Sequence, residues 1–311
     1  MDFTKREFFK QVAGLASLAA LPLRAAAERY QLGCQTLPYR GFPLSRALEG
    51  IRKAGYRYVM PNSTHEKKPV FAPTLTSSER AALKRQFKDA GLEPFMAFAG
   101  LGMDISKPEG MKTFLAELDL AVEFGMKVVV GAGPWYYTKF PSVPKRARDW
   151  EKECDEFCVA LEQGVRHAEA IGITVTLKPH TGITATGAAC LKLVKRIVSD
   201  RFKICWDAGN VSFYEGINPD PDLPDLAPYV RAVCIKDHQG GRGEADFPVP
   251  GSGQIDHELM FRTLFAGGFS GPVAVERVDG KGGAVTPEIL DQRIMQAYNF
   301  LAPLLEKTAR A

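Results

Sequence analysis

ITVTLKPH (residues 173–180) and FKICWDAGN (residues 202–210) are two short apolar runs rich in β-forming residues, and each ends in polar residues and turn formers. Between them, residues 187–198 carry apolar side chains at i, i+3, i+4 and i+7, which predicts a helix. A strand, a helix and a strand within about 35 residues form a βαβ unit of a parallel sheet. Because such sheets place their chemistry at the carboxyl ends of the strands, His180 and Asp207 are the first candidate site residues.

The rest of the chain repeats this alternation of strand and helix. The other predicted strands are residues 29–36, 56–60, 92–99, 127–130, 231–236 and 272–277. Eight strands alternating with helices predict an α/β fold, a single (β/α)8 TIM barrel, in residues 28–311. The alternative is a doubly wound open sheet, but no Gly-x-Gly-x-x-Gly follows the first strand.

Residues 1–27 precede the predicted barrel and have the composition of an export signal. A charged segment is followed by apolar residues 12–23 and by three alanines at residues 25–27, which form a small-residue cleavage site. TKREFFK at residues 4–10 is similar to the twin-arginine export motif, with Lys5 in place of the first arginine. We therefore expect export to the periplasm; the alternative is an uncleaved amphipathic helix.

Charge and composition exclude several classes of partner. The 311 residues carry a formal net charge of +4 with interspersed signs, which gives no basis for binding nucleic acid or a membrane surface. Once the signal is removed, no apolar run approaches the length of a membrane span. The six cysteines show no Cys-x-x-Cys spacing, and most are expected to be small buried apolar residues. The expected partner is a small molecule.

The predicted strands bring charged side chains to one end of the barrel. Side chains alternate along a strand, so Lys178 and His180 share a face at the end of strand five, and Asp207 ends strand six. If these faces point inward, the converging set is Lys178, His180, Asp207, Lys236 or His238, and Glu276. Charged residues inside a barrel are costly unless paired or liganded, so this clustering indicates a functional site. The structural alternatives are an ion pair between Lys178 and Glu276 and, for Asp207, a cap on the following turn.

Four features within residues 30–305 resemble the xylose isomerase-like TIM barrel superfamily, particularly its sugar phosphate isomerase/epimerase branch. They are LKPH at residues 177–180, WDAGN at 206–210, IKD at 235–237, and PGSGQID at 250–256 followed by Val275 and Glu276. The resemblance implies one divalent metal ion held by Glu, Asp, His and Glu from strands five to eight, with the two Glu residues moving protons on a hydroxy-ketone or hydroxy-aldehyde.

The expected ligand positions are only partly matched. Asp207 and Glu276 agree with the family pattern, whereas Lys178 stands in place of the first Glu and Cys234 in place of the His. Asn210 replaces a histidine that often follows the Asp. The resemblance therefore leaves the usual metal site incomplete.

Two arrangements of the residues can complete the site. In the first, His180 and His238 join Asp207 and Glu276 around one Mn, Mg, Fe or Zn ion. In the second, no metal binds and Lys178 polarises a carbonyl group. Apolar surroundings would lower the pKa of Lys178 and make it a base or a Schiff-base former.

The expected function is that of an exported isomerase or epimerase that abstracts a proton next to the carbonyl of a sugar or keto-sugar. Glu276 is the expected base, and Lys178 or His180 the acid or electrophile. Trp135, Lys236 and Asn210 are expected to contact the carbohydrate. The alternatives are a metal-free lyase and a catalytically inactive carbohydrate-binding barrel. A multi-zinc phosphodiesterase needs more histidines than the five present.

Overall fold

The structure, a computed structural model, describes residues 29–282 and 285–310. The export signal predicted for residues 1–27 lies outside the described residues. Within them, no helix is both long and apolar enough to cross a membrane.

Eight parallel strands form the barrel. They are β1 Tyr30–Gln35, β2 Tyr58–Met60, β3 in two pieces (Glu93–Pro94 and Met96–Phe98), β4 Val128–Gly131, β5 Thr174–Leu177, β6 Phe202–Trp206, β7 Val230–Ile235 and β8 Gly271–Val275. β1 pairs with both β2 and β8. The first piece of β3 pairs with β2 and the second with β4, so this interrupted strand closes the circle. The predicted TIM barrel is thus confirmed, and the open-sheet alternative is wrong.

A helix follows each strand, numbered as the strand it follows. The helices are α1 Leu44–Lys53, α2 Ser77–Asp89, α3 Pro108–Glu123, α4 Ala147–Ile171, α5 Gly187–Arg196, α6 Ala208–Glu215, α7 His257–Ala266 and α8 Pro287–Arg310. Sequence analysis did not predict α6. Its eight residues lack an apolar stripe, so periodicity could not reveal it. Two short hairpins lie in the loops after β2 and β4; they pair Thr64–His65 with Lys68–Pro69 and Tyr137–Lys139 with Val143–Pro144.

The barrel interior is filled by a small apolar cluster, and a larger core lies between the strands and the surrounding helices. The interior cluster consists of Met60, Phe95, Met96, Val128, Val130, Cys205, Ala232, Cys234 and Ala274. All six cysteines are free, and five are buried. Because the strands are parallel, their carboxyl ends meet at one mouth directly above this interior cluster.

Candidate active site

Four charged side chains lie together just beyond the carboxyl ends of β5 to β8. Lys178, Asp207, Lys236 and Glu276 each directly follow the last residue of one of these strands. Their exposed fractions are between 0 and 4%. We call these four residues the charged cluster. Their convergence is the arrangement that side-chain alternation predicts.

Each ammonium group of the charged cluster contacts both carboxylates. Lys178 Nζ lies 2.7 Å from Glu276 Oε2 and 3.1 Å from Asp207 Oδ2. Lys236 Nζ lies 2.7 Å from Glu276 Oε1 and 3.2 Å from Asp207 Oδ2. Burying a charge is costly unless it is paired in good geometry, and here two positive charges balance two negative ones. The sequence-based alternative of a Lys178–Glu276 ion pair is therefore part of the observed arrangement.

Each lysine of the charged cluster donates two side-chain hydrogen bonds. An ammonium group has three N–H donors. Lys236 Nζ donates to Glu276 Oε1 at 2.7 Å and to Asn210 Oδ1 at 2.9 Å. Within the described part of the chain, Lys178 Nζ donates to two acceptors only, Asp207 and Glu276. Lys178 therefore keeps one N–H for a ligand oxygen.

The contacts within the charged cluster keep Lys178 and Glu276 ionised. Burial alone would raise the pKa of Glu276, but the charges of Lys178 and Lys236 outweigh it and hold that pKa well below its usual value. Burial alone would lower the pKa of Lys178, but the charges of Glu276 and Asp207 raise it well above its usual value. The expectation that the pKa of Lys178 falls is thus wrong, because carboxylates rather than apolar groups contact its ammonium. A permanently protonated lysine is neither a base nor a Schiff-base former.

The imidazole of His180 lies apart from the charged cluster, among aromatic rings. Its ring centroid is 4.4 Å from that of Tyr214 and 5.5 Å from that of Trp135. Burial, together with the charges of Lys178 and Lys236, lowers the pKa of His180 to about 3. Its Nδ1 atom is buried and has no hydrogen-bond partner among the described residues. His180 is therefore a neutral group that can exchange a hydrogen bond with a ligand.

The predicted metal site of two histidines and two carboxylates is not assembled. His238 Nε2 lies 2.9 Å from the carbonyl oxygen of Glu244, and its ring packs against Phe213 and Phe247. In the described residues, the group of three potential ligand atoms within 4.8 Å of one another is Asp207, Cys234 and Glu276, which includes neither His180 nor His238. Neighbouring loops and rings hold these histidines away from the two carboxylates in the structure, and the metal site that they would complete stays a prediction.

The three grouped ligand atoms do not fit a divalent ion. Both carboxylates already contact the ammonium groups of Lys178 and Lys236, which would repel a second cation at the same place. A hydrogen bond from Cys205 and burial raise the pKa of the Cys234 thiol well above its usual value. The lysines thus supply the positive charge in this site.

Two adjoining cavities open at the mouth of the barrel. The first, of about 260 Å³, is lined by all members of the charged cluster except Asp207, and by His180 and Asn210. The second, of about 380 Å³, is lined by Trp135, whose side chain is 41% exposed. Leu101 and His180 line both cavities. Of the predicted carbohydrate contacts, Lys236 and Asn210 therefore lie at the first cavity and Trp135 at the second.

Glu117 of α3 also lines the first cavity, and sequence analysis did not identify it. Its Oε2 atom accepts a hydrogen bond from the Gly100 N–H at 2.7 Å. Burial raises the pKa of Glu117 to about 7. A signal was present in the sequence: Glu117 lies on the apolar stripe of its helix with the buried Phe114, Leu118 and Ala121.

A buried acid outside the charged cluster, Asp237, also lies at the end of β7. Asp237 directly follows Lys236, but its carboxylate contacts backbone N–H groups. Oδ1 accepts hydrogen bonds from the N–H groups of His238 and Ile255, and Oδ2 from those of Gly251 and Gly253, at 2.9 to 3.1 Å. Three of these donors belong to the PGSGQID segment. Asp237 thereby fixes the loop that follows β7.

Comparisons with known proteins agree with this architecture. The sequence profile of the xylose isomerase-like TIM barrel family matches residues 48–304. Among solved structures, an L-ribulose 3-epimerase is 19% identical, with a TM-score of 0.69 over 90% of this chain and 96% of that one. A 3-keto-D-glucoside 4-epimerase from E. coli is 19% identical, with a TM-score of 0.66 over 88% of this chain and 99% of that one.

A third solved structure is a xylose isomerase-like TIM barrel protein from Mycobacterium smegmatis in complex with magnesium. It is 16% identical, with a TM-score of 0.67 over 92% of this chain and 99% of that one. A comparison with curated protein sequences finds no match. At these identities the solved structures establish the fold, whereas the family profile covers most of the chain. The chain belongs to the xylose isomerase-like TIM barrel family.

Proposed function

We propose that this protein is a sugar isomerase or epimerase that moves a proton next to the carbonyl group of a neutral sugar or keto-sugar. The observation that carries the proposal is the charged cluster, which presents the one unused N–H of Lys178 beside a cavity at the mouth of the barrel. Membership of the family and the epimerase names of two similar structures support the same reaction class.

Lys178 is the proposed electrophile. Its free N–H donates to the carbonyl oxygen of the substrate. When the proton passes from the neighbouring carbon to the base, the electron pair of the C–H bond forms a C=C bond. The π pair of the carbonyl group moves to the oxygen, and the ammonium charge stabilises the resulting enolate. Asp207 and Glu276 keep Lys178 protonated and hold it in position.

Glu117 is the proposed base. Glu276, the base expected from the sequence, contacts two ammonium groups that lower its pKa and weaken it as a proton acceptor. A carboxyl with a pKa of about 7 at the same cavity is better matched to proton transfer near neutral pH. Delivery of a proton from water to the opposite face of the same carbon gives an epimer. Transfer of the abstracted proton to the carbonyl carbon, with the hydroxyl proton moving to the carbonyl oxygen, gives an isomer.

Proton exchange in D2O tests this function directly. Purified protein is incubated with D-fructose, L-ribulose or methyl 3-keto-D-glucoside, and deuterium incorporation is followed by NMR. We expect Lys178→Met to reduce exchange by about 10²–10³-fold, the usual effect of losing one oxyanion donor. Glu117→Gln is expected to reduce it by about 10²-fold or more, because the amide cannot take up a proton.

Lys203→Met is the matched control for Lys178→Met. Lys203 lies on β6, and its Nζ donates to the carbonyl oxygen of Ser199 rather than into the cavity, so exchange should be unchanged. Full exchange in Glu117→Gln but none in Glu276→Gln would return the role of base to Glu276. Sugar binding without exchange in the wild-type protein would identify an inactive carbohydrate-binding barrel, and release of a leaving group would identify a lyase.

We also propose that the protein acts in the periplasm. The support comes from residues 1–27, with their charged segment, apolar segment and twin-arginine-like TKREFFK. Cell fractionation of the full chain tests the proposal. Arg6→Gln should retain the protein in the cytoplasm, whereas Arg24→Gln, outside the motif, should leave export intact. If the wild-type protein and both variants are all found in the cytoplasm, that result would contradict periplasmic action.

A further inference from the structure

The second cavity lies beside the proposed reaction site but outside the proposed chemistry. It adjoins the first cavity at Leu101 and His180, which line both. Neither cavity alone, at about 260 and 380 Å³, exceeds the lower part of the range found for small-molecule sites. A ligand with two linked rings can therefore extend from one cavity into the other.

The lining of the second cavity suits an uncharged ring. Trp135 contributes a partly exposed indole, and the C–H face of a sugar ring packs well against an aromatic surface. Lys145 Nζ and the carboxylate of Glu153 also line the cavity and pair with each other at 2.6 and 2.7 Å. This pair offers donors and acceptors for hydroxyl groups while its net charge is zero.

Neither cavity offers an unpaired cation for a phosphate group, as far as the described residues show. In the first cavity, Lys178 and Lys236 contact both carboxylates of the charged cluster, and Arg277 Nε donates to Asp279 at 2.9 Å. A phosphate dianion would have to compete with carboxylates that already neutralise these groups. The lining thus favours a neutral ligand over a sugar phosphate.

We propose that the two cavities together bind a neutral glycoside of two sugar units, with one sugar beside Lys178 and the second against Trp135. The assignment of the reacting sugar to the place beside Lys178 rests on the proposed function. The existence of the second subsite does not depend on that function.

Calorimetric titration of the purified protein with methyl α-D-glucoside, cellobiose, trehalose, sucrose and glucose 6-phosphate tests the second subsite. At least one disaccharide should bind about tenfold or more tightly than methyl glucoside, since its second ring can pack on the indole. Glucose 6-phosphate should bind no more tightly than methyl glucoside. Equal affinities for all sugars, or preference for the phosphate, would overturn the proposal.

Trp135→Ala should reduce the ratio of disaccharide to monosaccharide affinity to about one, because the stacking surface is lost. Trp150→Phe is the control, since Trp150 packs on Tyr136 and lines neither cavity, and should keep the wild-type ratio. A ratio unchanged in Trp135→Ala would contradict the subsite. The binding ratio needs no turnover, so a protein that prefers disaccharides but shows no proton exchange would retain the subsite and lose only the proposed function.

Discussion

Lys236 and Asp237 are adjacent in the chain but belong to two buried regions with different electrostatics. Lys236 is part of the charged cluster, in which two ammonium groups balance two carboxylates. Asp237 is equally buried, and four backbone N–H groups stabilise its charge, three of them in the loop of residues 251–255. Side-chain alternation along β7 separates the two environments.

The difference shows two ways in which a buried charge is stabilised at the end of a strand. Gly253 lies so close to Asp237 that a Cβ atom there would be 2.3 Å from Oδ1, which explains a glycine in the PGSGQID segment by geometry. Among the positions that depart from the pattern, Lys178 lies in the charged cluster and Cys234 in the interior cluster below it. The charged cluster therefore combines two residues that match the pattern, Asp207 and Glu276, with a lysine that does not.

Among the substitutions in the two buried regions, Glu276→Gln should lower the unfolding free energy most. It leaves two buried ammonium groups facing one carboxylate, and breaking a buried ion pair costs about 3–5 kcal/mol of unfolding free energy. Urea denaturation measures the change. Glu306→Gln is the control, because Glu306 pairs with Arg310 on the surface, where such pairs contribute less than about 1 kcal/mol. Similar losses in both variants would mean that the charged cluster adds little to stability.

The lowered pKa of Glu276 predicts how the unfolding free energy depends on pH. The folded-state pKa of Glu276 lies below its unfolded value of 4.5, so the unfolded chain takes up the proton first as the pH falls. The contribution of Glu276 is therefore fully present above pH 4.5 and is lost below it. Between pH 3 and 4.5, wild-type stability should fall more steeply with decreasing pH than that of Glu276→Gln, and parallel curves would contradict the lowered pKa.

Asp237→Ala tests the other region and should cost less. It removes the acceptor of four backbone N–H groups, and with partial access of water to the loosened loop we expect a loss of about 3 kcal/mol. Asp256→Ala is the matched control. Asp256 caps α7 by accepting one hydrogen bond, from the Leu259 N–H, so about 1 kcal/mol should be lost. Equal losses would show that the Asp237 contacts do not act together.

Gly253→Ala tests the close approach of the loop to Asp237. The added methyl group meets the carboxylate oxygen and must displace the loop, which should cost about 1–3 kcal/mol of unfolding free energy. Gly41→Ala is the control: no atom lies within 4 Å of the added Cβ, and we expect a change within about 0.5 kcal/mol. An unchanged unfolding free energy in Gly253→Ala would mean that the loop shifts at no cost and that Asp237 does not fix it.

Glu117→Gln extends the comparison to a partly buried acid that has neither a paired cation nor several N–H donors among the described residues. Its folded-state pKa of about 7 exceeds the unfolded value of 4.5, so ionisation makes the folded state less stable as the pH rises through this range. At pH 8, the unfolding free energy of Glu117→Gln should exceed that of the wild-type protein by about 1 kcal/mol. The amide oxygen of the glutamine can still accept the hydrogen bond from the Gly100 N–H. At pH 4 the two proteins should be equally stable, and a constant difference at all pH values would contradict the raised pKa.

The eight strands and the convergence of Lys178, Asp207, Lys236 and Glu276 could be predicted from the sequence. Both follow from local rules: a strand is recognised by its own apolar run, and alternation determines which residue ends it facing inward. Parallel strands then bring these ends to one mouth. The interruption of β3 at Phe95 and the helix α6 escaped the same rules, because neither leaves a periodic pattern.

The roles of the charged groups depended on contacts between distant segments. Lys178 and Glu276 are 98 residues apart, and the direction of the Lys178 pKa shift depends on whether that carboxylate or an apolar chain meets the ammonium. His238 is held by the carbonyl of Glu244, and Glu117 reaches the cavity from a helix. Periodicity within the chain specifies the strands and the faces of their side chains. Ion pairing, pKa values and cavity walls depend instead on which side chains from separate elements lie within a few ångströms of one another. Only the closed barrel determines those distances.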